Sequence, residues 1–218
     1  MPDSVSGTES GMRSMPPTRN ATEERTIKVK IGVMGSAGGL LTDEAMRRCR
    51  ELGRQIAQHN CIIITGACPG LPHEAVLGAK EFGGLAIGIS PGLALQEHID
   101  RYHSPYEEYD ALIFTGSGLM GREIEGIRSC DIVCIVGGRS GTLGEFAIAF
   151  DEGKLICVLR GTGGIAEHIH DIVAMINKQT DAEVMYDTDP KSMIEHAIEK
   201  HHERVRRGVA YSLRVVEG

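Results

Sequence analysis

Hydrophobic positions along this chain fall into short unbroken runs, separated by longer stretches with helical spacing. The runs at 28–36, 61–65, 85–90, 111–115, 131–136 and 154–159 predict buried strands, and 183–186 predicts a shorter one. Between them the spacing predicts helices over 42–60, 71–82, 121–129, 142–151, 165–178 and 191–207. Thr42 is placed to cap the first helix, with Asp43 and Glu44 in its first turn, and Pro190 suits the start of the last. Residues 92–110 break the pattern. They hold His98, Asp100, His103, Pro105, Glu107, Glu108 and three tyrosines, and predict an irregular excursion. Strands alternate with helices, and most strands are continuously apolar instead of alternating. That pattern belongs to a parallel sheet covered on both faces. The expectation is a single doubly wound α/β domain, its sheet mostly parallel and its helices on both faces.

Residues 1–26 are rich in Ser, Thr, Pro, Glu and Arg and carry few apolar side chains, so they predict a disordered tail. The domain is expected over 27–208, with a C-terminal tail at 209–218. The chain has 218 residues, 41% of them hydrophobic, which suits one core of fair size. Its 30 acidic and 23 basic residues give a formal charge of −7, which argues against a duplex nucleic-acid partner. No apolar run reaches the length of a membrane span. The first ten residues lack a basic start and an apolar core, so no secretory signal is expected. The six cysteines form no Cys-x-x-Cys pair and are expected as reduced, mostly buried thiols of a cytoplasmic protein. Cys68 differs in lying in a Gly/Pro-rich loop.

The candidate chemistry sits where strands end. Glycine-rich loops at 35–39, 66–70, 116–121 and 137–141 all follow predicted strands and are expected to converge on one crevice. The richest signal is the stretch from Gly137 to Glu145, a strand–turn–helix junction. A helix start offers unpaired N–H donors and a partial positive charge, and glycines let an anion approach them. Gly137, Gly138, Arg139, Ser140, Gly141 and Thr142 are therefore expected to hold a phosphate or nucleotide. Gly35, Ser36, Gly38, Gly39, Gly66 and Gly70 join them from neighbouring loops. Glu145 reads either as a carboxylate acting on that ligand or as a first-turn complement to the helix dipole. Arg122 reads either as a ligand-holding cation at a helix start or as a surface arginine. The first loop is not G-x-G-x-x-G, no acidic residue ends the second strand, and there is no G-x-x-x-x-G-K-[ST], so a dinucleotide cofactor and a P-loop are disfavoured. His168 and His170, and His201 and His202, are spaced wrongly to put two rings on one helix face, so no metal is expected. No cofactor is expected either.

The order Gly-Ser-x-x-Gly, then Thr65-Gly66-Ala67-Cys68-Pro69-Gly70-Leu71-Pro72, then Gly121-Arg122-Glu123, then the Gly-Thr-x-x-Glu of residues 141–145 resembles the Lonely-guy (LOG) superfamily. Its members are Rossmann-like proteins once labelled lysine decarboxylases, and the likeness covers about residues 28–160. It implies a phosphoribohydrolase, which cuts the N-glycosidic bond of a nucleoside 5′-monophosphate to give free base and ribose 5-phosphate. Glu145 matches the motif's glutamate and Arg122 the upstream arginine, which implies catalytic roles for both. The family's Pro-Gly-Gly is Val136-Gly137-Gly138 here, with one extra residue before Gly141. The usual Arg-Lys pair is Arg122-Glu123, and Ala67-Cys68 stand where glycines are common. The chain is similar also to molybdenum-cofactor carrier proteins on the same fold, which implies an alternative: a carrier or sensor that binds a phosphorylated nucleotide or pterin without turnover. The resemblance further implies a homodimer or higher homo-oligomer. Residues 92–110, with Tyr102, Tyr106 and Tyr109, are expected to shape the base pocket.

Overall fold

A computed structural model describes residues 27–209. The tails expected at 1–26 and, apart from Val209, at 209–218 lie outside the described residues. The strands are β1 (Lys30–Gly35), β2 (Ile62–Thr65), β3 (Leu85–Ser90), β4 (Ala111–Phe114), β5 (Ile132–Val136), β6 (Leu155–Leu159) and β7 (Glu183–Asp187). The helices are α1 (Asp43–Gln58), α2 (Leu71–Glu81), α3 (Leu95–Asp100), α4 (Gly118–Arg128), α5 (Ser140–Asp151), α6 (Ile169–Ile176) and α7 (Pro190–Arg206), with a 3₁₀ turn at Gly164–Glu167. All seven strands run parallel in the order β4-β3-β2-β1-β5-β6-β7.

Alternation along each strand feeds two cores. Val33, Ile63, Cys134 and Leu159 face α1, α2 and α7, packing on Leu52, Ile56, Val76 and Ile194. Met34, Ile64, Ile135 and Val158 face the other way, onto Ile127 of α4, Phe146 and Ala149 of α5 and Ile169 of α6. Each such aliphatic side chain contributes about 1.5–3 kcal/mol on leaving water. Thr42 caps α1 as expected, its hydroxyl accepting from the Ala45 N–H at 3.1 Å.

Three local differences from the sequence expectation matter. Residues 92–110 contain the short helix α3, and the segment is anchored internally: the fully buried His98 shares hydrogen bonds with Ser90 Oγ (2.9 Å) and the Pro105 carbonyl (3.0 Å). The expected helix at 165–178 splits into the 3₁₀ turn and α6, which ends at Asn177 in a left-handed conformation. Helices α4 and α5 begin three and two residues earlier than expected, at Gly118 and Ser140, with no side chain capping either start. Arg122 and Glu145 therefore stand in the second turns of their helices, one turn deeper than a dipole-complementing position.

The sheet order reverses between β1 and β5, which pair in register from Ile31↔Ile132 to Gly35↔Val136. A crevice opens beyond the carboxyl ends of strands at such a point. The glycine-rich loops after both strands lie there. Among the described residues no helix is long and apolar enough to cross a membrane.

Candidate functional site

A cavity of about 330 Å³ occupies the crevice. Its walls come from Gly35 at the end of β1 and Ser36 and Ala37 after it, Gly66 and Cys68 after β2, Arg122 and Glu123 on α4, and Arg139, Ser140, Gly141, Thr142 and Glu145 at α5. A larger hollow, about 780 Å³, lies at the opposite sheet edge between α6 and β7 and touches none of the expected site residues.

The start of α5 is open. The first intrahelical bond runs from the Leu143 N–H to the Arg139 carbonyl at 3.0 Å. The N–H groups of Ser140, Gly141 and Thr142 precede it and have no intrahelical acceptor, and no side chain caps them. Three donors and the positive end of the helix dipole thus face the cavity, a ready anion site.

The glycines before them have a different job. Gly137 and Gly138 take left-handed φ values of 58° and 101° and turn their N–H groups inward, to Thr162 Oγ1 (2.8 Å) and Ser36 Oγ (2.6 Å). Those donors are already occupied, and neither residue lines the cavity. Gly38, Gly39 and Gly70 also lie outside its walls. Gly70 locks two loops together: a Cβ there would strike the Ser36 carbonyl, which accepts from the Leu71 N–H at 2.9 Å.

Arg122 is 8% exposed. Its Nη1 donates to the Ile89 carbonyl at 3.2 Å, and its guanidinium lies where a Cβ on Gly66 would project. Its Nε is buried without a hydrogen-bond partner, and among the described residues no carboxylate lies within 4.0 Å of the guanidinium. A buried cation left this way is costly unless an anion supplied from outside pairs with it. Cys68 lies beside it. Burial pushes that thiol up, Arg122 pulling the other way.

Glu145, 9% exposed, is the matching oddity. Burial pushes its carboxyl up to about 8, with Arg122 opposing the shift and Glu123 adding to it. Glu123 is half-buried, and burial raises its carboxyl as well, again against Arg122. In the sequence Glu123 is part of the Gly121-Arg122-Glu123 motif and stands where a lysine is usual, with no site role expected of it. Its adjacency to Arg122 was the signal that it shares the site.

The expectation for residues 92–110 is corrected. None of them lines the cavity. The His98 anchor holds the segment over β3 and β4. The Tyr109 hydroxyl is tied to Thr65 Oγ1 at 2.8 Å, and Tyr102 lies under the Arg101 guanidinium at 5.3 Å.

The model of the SLOG cluster4 family matches residues 28–194. The chain belongs to this family. Its fold is the LOG-like, Rossmann-like one that the motifs imply. Within the curated proteins it resembles an uncharacterized protein of Archaeoglobus fulgidus, 32% identical over 133 residues, 61% of this chain and 80% of the relative. Among solved structures it is similar to the structural-genomics target TM1055 (TM-score 0.68, 25% identity, 79% of this chain and 99% of the other). It is also similar to the molybdenum cofactor carrier protein of Chlamydomonas reinhardtii (TM-score 0.64, 29% identity, 81% of this chain and 99% of the other). The SLOG match spans every element from β1 into α7, so every residue that lines the cavity lies inside it.

Proposed function

We propose that this cavity binds a phosphorylated small molecule and hydrolyses the N-glycosidic bond of a nucleoside 5′-monophosphate, releasing the base and ribose 5-phosphate. The observation that carries the reading is the buried Arg122, its Nε without a hydrogen-bond partner among the described residues, beside the uncapped start of α5 with Glu145 in the same cavity. In this reading the 5′-phosphate takes the N–H groups of Ser140, Gly141 and Thr142, with Arg139 at the mouth. Arg122 completes its charge balance. The held phosphate fixes the sugar against Glu145, where glycosidic cleavage develops an oxocarbenium-like charge that a carboxyl site can serve. A volume of about 330 Å³ falls in the ordinary range for small-molecule sites. No cofactor enters this reaction. The working assembly is a homodimer in the cytoplasm, its two copies meeting at the β4–α4 edge where Ile113, Leu119 and Met120 stay exposed.

A second reading is a carrier that retains a phosphorylated pterin or nucleotide without turnover. The likeness to the Chlamydomonas carrier supports it. Incubation with a panel of nucleoside monophosphates, with free base assayed by chromatography, separates the two. Base release abolished by Glu145→Gln supports the hydrolase. No release from any nucleotide, together with a stoichiometric small molecule found by mass spectrometry of the purified protein, supports the carrier.

A further inference from the structure

We propose that Glu123 is the second carboxylate of this site, working with Glu145 from the same cavity wall. The inference rests on the hydrolase reading above and adds a catalytic residue to it.

The geometry places both groups on one wall. Glu123 and Glu145 line the same cavity, one from α4 and one from α5. The Glu123 carboxylate lies against α5, its Oε1 3.5 Å from where a Cβ on Gly141 would lie and its Oε2 3.1 Å from the same point on Gly144. Glycines one turn apart leave it that berth, next to the residue that follows Gly144. Glu145 is nearly enclosed, whereas Glu123 keeps a share of solvent.

Charge balance assigns the proton. Arg122 and Glu123 on α4 share the cavity with Glu145, as does Cys68 after β2, whereas Cys130 before β5 lies outside its walls, its Sγ donating to the Gly126 carbonyl. Both thiols are pushed up by burial and stay neutral near pH 7. That leaves one buried cation for two carboxyl groups. Two carboxylates near one another in a poorly solvated site do not both ionise, and the proton stays on the more enclosed one. Glu145 is that group. Pairs whose environments separate them in this way divide acid from base.

The step balances without an oxidant or metal. The C1′–N bond breaks and its electron pair leaves with the base, which takes the Glu145 proton. Water adds to C1′ and gives a proton to Glu123. Return of that proton to Glu145 restores the site.

Difference infrared spectroscopy of the full chain without ligand tests the pair directly. A protonated-carboxyl band should be present at pH 7 and absent in Glu145→Gln. Its titration should move about one pH unit toward acid in Glu123→Gln. A Glu145 carboxyl ionised at pH 7, or a titration that Glu123→Gln leaves in place, overturns the pair. In the base-release assay, Glu123→Gln should lose the acidic limb of the pH–kcat profile that the unmodified protein shows. An unchanged acidic limb in Glu123→Gln overturns its catalytic role. Absence of base release from the unmodified protein sinks the hydrolase reading, and with it Glu123's catalytic role, while the infrared titration still decides the proton pair.

Discussion

The Arg122 guanidinium occupies the space that a side chain on Gly66 would need. A helix on one side of the crevice and a loop on the other are thus matched through a missing Cβ. The arginine is thereby held within the cavity wall, with the Ile89 carbonyl accepting from Nη1 and its Nε without a partner among the described residues.

Gly66→Ala tests this fit. The clash is with the far end of a flexible side chain, so Arg122 can swing away, and stability should fall by less than about 1 kcal/mol. Anion binding should suffer more. A hydrogen bond to a charged group contributes about 1.5–3 kcal/mol, so phosphate affinity should drop roughly ten- to hundredfold. Calorimetric titration with inorganic phosphate, beside a urea melt, reads both. A large stability loss with unchanged phosphate affinity would sink the idea.

Stability should decline as pH rises. The Glu145 carboxyl, with an ordinary value of 4.5, is pushed up to about 8 by burial. Between those values the folded state binds more protons than the unfolded chain, so folding loses free energy with each step toward pH 8. The contribution is fully present below pH 4.5 and lost as pH passes about 8. Urea midpoints taken from pH 5 to pH 9 should fall in the unmodified protein and stay nearly flat in Glu145→Gln.

Arg139 and Arg122 should differ in salt dependence. Arg139 stands exposed at the α5 start, whereas Arg122 is buried. Exposed charges are screened over a Debye length of about 10 Å at 0.1 M salt. Arg139→Ala should weaken phosphate binding modestly, and mainly at low salt. Arg122→Ala should weaken it at every salt concentration. Titrations at two ionic strengths distinguish the variants.

Ser36→Ala removes the acceptor for the Gly138 N–H, a buried bond of 2.6 Å. An unsatisfied buried donor costs about 1–3 kcal/mol. The urea midpoint should fall accordingly. A Ser36→Thr variant that keeps the hydroxyl should recover most of the loss.

The exposed β4–α4 edge predicts self-association. Met120 is 78% exposed and Leu119 57%. Sedimentation should find a dimer, and Met120→Asp with Leu119→Asp should shift it toward monomer. A monomer at all concentrations would remove the proposed pairing.

The runs Ile62–Ile64 and Ile132–Val136 declared themselves in the sequence because a strand buried on both faces is apolar at nearly every position, a requirement local in the chain. The open start of α5 was legible for the same reason: glycines and a helix onset lie within one short stretch. What each residue does at that junction was decided elsewhere. Gly137 and Gly138 find their acceptors in Thr162 and Ser36, 25 and 102 positions away, so no local pattern could show that their N–H groups are spent. The same holds for the 92–110 segment, whose tyrosines are kept from the cavity by His98 and Thr65. Local periodicity sets which segments form strands and helices. Burial and charge balance come from residues far apart in the chain, so only the folded protein could set Arg122 against Gly66 and bring Glu123 to the wall that Glu145 shares.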